Sequence, residues 1–347
     1  MTSSRLNDLL SAFPSLSLAV VGDFFLDKYL VIDRALSETS LETGKECYQV
    51  VAIRHSPGAA GTVCNNLTAL GVGTLYAVGL TGDDGQGYEL RQDLAGQGVR
   101  LDYLRTAPGF FTPTYTKPME RRPDGSEEEM ERVDLKNRRP LAPEAEQEML
   151  ACLQAVAGQV DGIIVADQVQ ERNHGIVTDA LREALSRLAS AHPELVLLAD
   201  SRVRIGEFRG VALKPNQHEA RAALGRPDSG EISLEQAEEA GRELCRRAER
   251  PVFLTRGAEG ILVCAGKQVT PVPGVPVSGP LDIVGAGDSA TAGIMLGLCA
   301  GATPAEAAVV GNLVASITVQ QVGTTGTASP AQVRERFAQV AERFAEV

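Results

Sequence analysis

Asp282-Ile283-Val284-Gly285-Ala286-Gly287-Asp288 is the stretch that orders the rest of the chain, and Ser289-Ala290-Thr291-Ala292-Gly293-Ile294-Met295-Leu296 follows without a break. Two glycines and an alanine leave little side-chain bulk ahead of a helical pattern. Backbone N–H groups without intrahelical partners then gather at a helix N-terminus, where they suit an anion. Asp288 sets a carboxylate at the mouth of that site. A carboxylate beside an anion pocket is electrostatically awkward unless it takes a proton from a nucleophile that attacks the anion. The pairing points to phosphoryl transfer to a hydroxyl. The plain alternative is a glycine-rich turn whose acidic residue favours the helix dipole.

Outward from this stretch, short apolar runs alternate with helical patterns. Residues 16–21, 73–78, 99–104, 162–166, 195–199, 211–213 and 252–255 read as strands. Residues 59–70, 89–95, 145–157, 172–190 and 234–248 read as helices. Buried strands alternating with helices predict an α/β fold around a mainly parallel sheet. Asp23, Asp167, Asp200, Asn216 and Arg256 fall just after strands. Ligands of such sheets bind outside the carboxyl ends of strands, so these residues are expected to converge on one cleft.

Two polar segments interrupt the alternation, at residues 28–53 and 112–133. Tyr29, Val31, Tyr48, Val50 and Ala52 alternate with polar neighbours in the first, and Thr112, Thr114 and Thr116 in the second. Both are expected to form a small antiparallel flap that covers a substrate or offers an edge to a second copy. The acidic run 124–131 reads as a solvated turn and strand of that flap.

Composition narrows the partners. The 347 residues are 44% hydrophobic, enough for a large core, and the net charge is −12. Nucleic acid and anionic membrane are therefore disfavoured. Trp is absent and aromatics are 4%, which removes stacking platforms for single strands. No apolar run reaches membrane-spanning length. The N-terminus leads into a short amphipathic stretch rather than a signal peptide. Cys47, Cys64, Cys152, Cys245, Cys264 and Cys299 form no C-x-x-C pair. They read as reduced thiols of a cytoplasmic protein, without a zinc site. A P-loop is missing, and Gly71-Val72-Gly73 follows a helix and opens a strand, the reverse of a dinucleotide fingerprint.

With those residues in view, the chain resembles the PfkB (ribokinase-like) family of carbohydrate kinases from about residue 17 to 330. The resemblance implies a ribokinase-like three-layer α/β/α core with a lid, in one kinase domain spanning residues 1–347. Asp282–Asp288 is similar to the family's D-T-x-G-A-G-D signature, with Ile283 at the Thr position. It implies Asp288 as catalytic base and Gly285, Ala286 and Gly287 as an anion hole. Asn216-Gln217-His218-Glu219 resembles the N-x-x-E motif that organises magnesium through water. Taken alone, the same residues also make a helix-capping pair. Thr255, Gly257 and Gly260 match a T-x-G-x-x-G nucleotide loop, and Asn312 joins the implied nucleotide site. Asp27 in Gly22-Asp23-Phe24-Phe25-Leu26-Asp27 matches the acid that binds sugar hydroxyls. Gly323 with Thr324-Thr325-Gly326-Thr327 resembles a late loop that holds a monovalent cation, potassium being the candidate, with the backbone near Asp282 and Val284.

Within the family, Gly22 to Tyr29, Val78-Gly79-Leu80-Thr81-Gly82-Asp83-Asp84 and Val322 to Pro330 are most similar to heptose 7-phosphate kinases. The nucleotidyltransferase domain fused to some of those kinases is expected to be missing, because the chain ends soon after Pro330.

The acceptor site departs from the pattern. The family's G-G-x-x-x-N falls on the stretch from Gly58 here, with Ala59 read in place of the second glycine and Thr62 in place of the sugar-binding Asn. Thr has a shorter reach and no amide. The D-P-K-G segment of heptose kinases becomes Asp200-Ser201-Arg202-Val203, a cation of different geometry. The expectation is an ATP- and magnesium-dependent kinase acting on a sugar or sugar phosphate. A nucleoside kinase of the same fold, and a non-catalytic sugar binder, are the rivals.

Overall fold

The computed structural model describes residues 1–226, 230–323, 325–345 and 347. The first third of the chain forms α1 (Ser3–Ala12), β1 (Ser17–Gly22), β2 (Phe24–Thr39), β3 (Glu46–Ala59), α2 (Ala60–Ala69), β4 (Thr74–Thr81), α3 (Gly85–Gly96) and β5 (Arg100–Thr106). Then come β6 (Thr114–Arg121), β7 (Glu127–Glu129), β8 (Val133–Leu135), α4 (Pro143–Ala157), β9 (Gly162–Asp167), α5 (Asp179–Ala191), β10 (Val196–Ser201) and β11 (Ala212–Leu213). The remainder forms α6 (Gln217–Ala223), α7 (Leu234–Ala248), β12 (Val252–Thr255), β13 (Gly260–Ala265), β14 (Gln268–Pro273), α8 (Ala286–Cys299), α9 (Pro304–Thr318) and α10 (Pro330–Val340).

Nine strands make one sheet in the order β14-β13-β12-β11-β10-β9-β1-β4-β5. All pairs from β12 to β5 are parallel, and β13 and β14 add an antiparallel edge. Successive strand residues point to opposite faces. Leu18 and Val20 pack into one helix layer with α1, α2, α8, α9 and α10, while Ala19 and Val21 pack into the other with α4, α5 and α7. The apolar runs are therefore apolar throughout because both faces are covered. The fold is the expected α/β/α sandwich. Helices α8 and α9 lie nearly backbone to backbone: a Cβ on Gly293 would sit 3.0 Å from the Gly311 Cα.

A second sheet runs in the order β3-β2-β6-β7, with β8 beside β6. This is the expected lid, and its pairings are antiparallel except that β2 and β6 run parallel. That exception has a simple cause. The chain between the two strands passes through α2, β4, α3 and β5 before it returns, and a crossover of that length allows parallel pairing. The lid is tied to α3. Lys28 bonds Glu89 at 2.8 Å and His55 meets Asp93 at 2.6 Å. Asp84 caps α3 through the Gly87 N–H and accepts the Thr112 N–H and hydroxyl at 2.9 and 2.7 Å.

One expected helix is shorter. Residues 172–178 do not join α5, whose N-cap is Thr178. The amides of Gln168, Val169 and Ile176 donate to the Asp23 carboxylate instead, and Asn173 takes a positive φ of 61°. Backbone donors captured by a side chain are lost to a helix. No helix among the described residues is long and apolar enough to cross a membrane.

Candidate functional site

Strands β1, β9, β10, β11 and β12 of the large sheet end in loops that carry Asp23, Asp167, Asp200, Lys214 with Asn216, and Arg256. Asp23 is 3% exposed and its oxygens are consumed by three amides at 2.8–3.0 Å. Burial, with nearby Asp167 adding to it, pushes its carboxyl up to about 6. Asp23 is thus a structural clamp. Asp167 clamps the same loop from below through buried Arg204, which also donates to the Gln170 carbonyl at 2.8 Å.

Asp27, four residues on, accepts no backbone amide among the described residues. It stands on β2 opposite Ser56 of β3 and Tyr115 of β6. Lys117 Nζ lies 3.3 Å from Asp27 Oδ1 and 3.2 Å from the Tyr29 hydroxyl. Gly58 makes the space: a Cβ there would be 2.5 Å from Asp27 Oδ2. Ala59 precedes α2 with φ 53° and ψ −117°, a conformation that suits glycine. Thr62 differs from its expected use. It is 3% exposed, its hydroxyl turns to the Pro57 carbonyl at 3.5 Å, and its methyl faces Gly285. It forms a wall rather than a free hydrogen-bond donor.

The glycine-rich loop leads into α8 as expected. Gly285 is the N-cap with φ 79°, the left-handed conformation that favours glycine. The Ala286 N–H turns back to the Ile283 carbonyl at 3.2 Å. The Gly285, Gly287 and Asp288 N–H groups have no acceptor among the described residues, so two of the three expected donors are open, Ala286 is engaged, and Asp288 adds another. Desolvation raises the Asp288 carboxyl to about 7, and Asp200 adds to this, while Lys214 and Arg202 oppose it. Asp282 staples the loop to its neighbour. It accepts the Val284 N–H at 3.0 Å and the Gly323 N–H at 3.2 Å. Thr324, beside Gly323, lies outside the described residues.

Asn216 and Glu219 form a reciprocal cap on α6: Asn216 Oδ1 accepts the His218 and Glu219 amides, and Glu219 Oε2 accepts the Asn216 N–H. Glu219 Oε1 takes no protein hydrogen bond among the described residues. Burial, and then Asp200, holds this carboxyl above its usual range. A few hard oxygens with spare lone pairs suit magnesium, which keeps most of its waters. Next to them, Lys214 Nζ lies 3.0 Å from Asp200 Oδ2. Burial would lower this ammonium, but Asp200, Glu219 and Asp288 outweigh it and hold it above the ordinary lysine value.

On the adjacent side, Asn216 pairs with Thr255, whose N–H donates to the Pro215 carbonyl. Gly257 and Gly260 both adopt positive φ, and a Cβ on Gly260 would fall 2.3 Å from the Val272 carbonyl. Asn312 lies behind this loop. Its amide donates to the Val272 and Pro273 carbonyls at 3.2 and 3.1 Å, so it fixes β14 rather than offering those donors to a ligand.

Sequence reading singled out Arg202 but missed two other cations, Arg132 and Lys136. The Arg132 guanidinium lies 4.3 Å over the Tyr115 ring, and Lys136 Nζ lies 5.5 Å from it. Arg202 is exposed, with no ion pair among the described residues, and its charge reaches Tyr115, Glu219 and Asp288. Lys214 was missed as well. A lysine directly after the apolar residues 211–213 and before Pro215-Asn216 was the available signal, because that is where a parallel strand delivers its end.

The profile described as "pfkB family carbohydrate kinase" matches residues 26–332. The chain is 30% identical over 337 residues to the bifunctional protein HldE of Trichlorobacter lovleyi, covering 96% of this chain and 65% of that protein. It is 29% identical over 316 residues to the bifunctional protein HldE of Desulfatibacillum aliphaticivorans, covering 90% and 62%. The chain thus spans just under two thirds of these relatives' length. Among solved structures, phosphofructokinase-2 of Escherichia coli in complex with potassium superimposes with a TM-score of 0.66 at 18% identity, covering 94% of this chain and 99% of that one. Arabidopsis thaliana ribokinase complexed with ribose and ATP superimposes with a TM-score of 0.64 at 18% identity, covering 92% and 98%.

Proposed function

The chain belongs to the pfkB family of carbohydrate kinases, and from that premise we propose that it transfers the γ-phosphoryl group of ATP to a hydroxyl of a sugar phosphate. One observation carries this reading. Asp288 stands in the first turn of α8, beside open amides of the same turn, within electrostatic reach of Asp27 on the lid strand. Read as a base, an anion site and an acceptor-binding acid, these groups support phosphoryl transfer to a sugar hydroxyl.

Asp27 and the space kept by Gly58 hold the sugar hydroxyls. Asp288 orients the reacting hydroxyl and accepts its proton. The amides of Gly287 and Asp288 stabilise charge on the migrating group, and each such donor is typically worth about 10²–10³ in rate. Asn216 and Glu219 would hold magnesium through water, and bound magnesium offsets charge between the β- and γ-phosphates. Thr255, Gly257 and Gly260 border the nucleotide. Asp282 with Val284 and Gly323 frames a monovalent-cation site for potassium. Closure of the lid excludes water as a competing acceptor.

The acceptor's own phosphate would be met by Arg202, Arg132 and Lys136 around Tyr115. Arg202, without an ion pair among the described residues, supports a charged acceptor over a neutral sugar or nucleoside. Together with the resemblance to heptose 7-phosphate kinases, it makes heptose 7-phosphate the first acceptor to try. We further place the protein in the cytoplasm as one kinase domain that pairs through its lid. The outer strand β3 exposes Tyr48, Val50 and Ile53 on an open edge.

ADP release with ATP and magnesium should be measured across heptose 7-phosphate, fructose 6-phosphate, ribose, fructose and nucleosides. Turnover confined to sugar phosphates is expected. Efficient turnover of a nucleoside alone would replace this reading.

A further inference from the structure

Asp27 and Lys117 meet on one face of the lid, and the protein leaves both half-engaged. Asp27 comes from β2 and Lys117 from β6, strands that pair in parallel with Tyr29 opposite Lys117. Each of the two charged side chains is 14% exposed. An ammonium carries three N–H donors. Lys117 gives one to the Tyr29 hydroxyl at 3.2 Å and stands 3.3 Å from Asp27 Oδ1, and among the described residues no further acceptor takes a hydrogen bond from it. Asp27 Oδ2 lies over Gly58 and accepts no hydrogen bond among the described residues.

The two carboxylate oxygens thus have different surroundings. Oδ1 faces a cation, while Oδ2 faces a glycine that leaves it room. The last torsion of an Asp side chain is broad, so a cation on one oxygen decides which way the other points. Lys117 is itself directed by Tyr29, whose ring centroid lies 4.8 Å from Nζ. The Arg54 guanidinium of β3 lies 5.8 Å from that ring and bonds Glu127 of β7 at 3.1 Å. Burial would lower the Lys117 ammonium, but Asp27 and Tyr29 outweigh it and hold it above the ordinary lysine value. Anchoring of the lid falls to the opposite face of β2, where Lys28 bonds Glu89 of α3. Lys117 therefore serves the carboxylate rather than the anchor.

We propose that Lys117 is a positioning residue that acts through Asp27: directed by Tyr29, it holds one carboxylate oxygen so that the other is presented to an acceptor hydroxyl. This rests on the phosphoryl-transfer reading above. The acceptor hydroxyl donates to Oδ2, and no covalent bond forms or breaks at Lys117. Without the ammonium, the carboxylate keeps its charge and loses its direction, so each acceptor must order it anew. The effect falls on acceptor binding rather than on transfer, because Asp288 and the open amides of α8 are untouched.

The rival role for Lys117 is a weld between β2 and β6, and kinetics with the sugar phosphate that the wild type turns over best separates the two. Lys117→Met removes the charge and keeps an unbranched side chain. Its acceptor KM should rise by about 10–100-fold, the scale of a lost hydrogen bond to a charged group. Its kcat and ATP KM should each change by less than about threefold, the mark of lost uniform binding. Tyr29→Phe removes only the hydroxyl that directs the ammonium, and acceptor KM should rise by about three- to tenfold with the melting profile unchanged. If Lys117 acts through Asp27, the double variant Lys117→Met/Asp27→Asn has the acceptor KM of Asp27→Asn alone; two independent roles would add. Additive losses would overturn the proposal, as would an unaltered acceptor KM in Lys117→Met. Should Lys117→Met fail to fold, Tyr29→Phe and its double variant with Asp27→Asn make the same comparison. A wild-type protein that phosphorylates no sugar or sugar phosphate would instead remove the underlying phosphoryl-transfer reading.

Discussion

Gly58 and Asp27 are matched across two strands of the lid so closely that any side chain at residue 58 would collide with the carboxylate: a Cβ there lies 2.5 Å from Asp27 Oδ2 and 3.2 Å from its Cγ. Gly58→Ala must therefore turn Asp27 aside and loosen its 3.3 Å contact with Lys117. A hydrogen bond to a charged group is worth about 1.5–3 kcal/mol, so acceptor KM should rise roughly 10–100-fold. Nucleotide KM should hold. Steady-state kinetics with each substrate varied in turn checks this, and an unchanged acceptor KM would remove Asp27 from the acceptor site.

Asp288→Asn keeps the shape of the side chain and removes its ability to take a proton. Loss of a general base typically lowers kcat by about 10²–10⁴, and the melting profile should persist. Near-normal turnover by the Asn variant would take the base role away from Asp288.

The pH dependence follows from the same group. The wild-type carboxyl titrates at about 7, raised chiefly by desolvation. Only the ionised form accepts a proton, so kcat/KM should fall about tenfold per unit below that pH. Stability carries the opposite sign. The folded chain holds this proton more tightly than the unfolded chain, so the wild type loses stability as pH rises from about 4 through 7. Asp288→Asn has no such loss, and denaturant titrations at several pH values should show it gaining on the wild type across that window. A gap that does not change with pH would mean that the carboxyl titrates normally.

Much of this site was readable beforehand because its parts are local in sequence. A glycine-rich turn, a strand end and a capping pair each announce themselves within a few residues, and Asp288, Glu219 and Gly257 stand where that logic puts them. The failures share another cause. Residues 172–178 have helical periodicity, but Asp23, about 150 positions earlier, holds the Ile176 amide and the loop before it, and α5 starts only after its cap at Thr178. Thr62 and Asn312 have suitable polar groups that nearby carbonyls claim first. Arg132 and Lys136 reach Tyr115 through the pairing of β8 with β6, which no spacing in the sequence encodes. The parallel pairing of β2 with β6 was hidden for the same reason.

Ala59 is held at φ 53° and ψ −117°, where a Cβ is unwelcome. Such strain costs about 1–3 kcal/mol, and glycine's extra freedom in the unfolded chain returns about 0.4–1 kcal/mol of that. Ala59→Gly should thus stabilise the protein by on the order of 1 kcal/mol in equilibrium denaturation, a small difference between the two figures. A destabilised variant would show that the alanine methyl supplies packing that outweighs the strain.

Glu219→Gln separates two roles of one residue. Glutamine still closes the cap on α6, so the helix should survive. The charge is lost, and half-saturating magnesium should rise by roughly 10–100-fold, the range seen when outer ligands of a metal are changed. Magnesium titrations of initial rate decide this. An unaltered requirement would confine Glu219 to capping.

β2 leaves the core at Phe24, carries Asp27 almost at once, and continues to Thr39 as the spine of the lid. One unbroken ribbon is therefore both floor and cover. If Asp27 binds the acceptor as proposed, a sugar that tugs on the carboxylate tugs on the roof as well, so recognition and sealing would be a single mechanical event rather than two steps joined by a relay. Selection for a new acceptor would have to retune the door along with the lock.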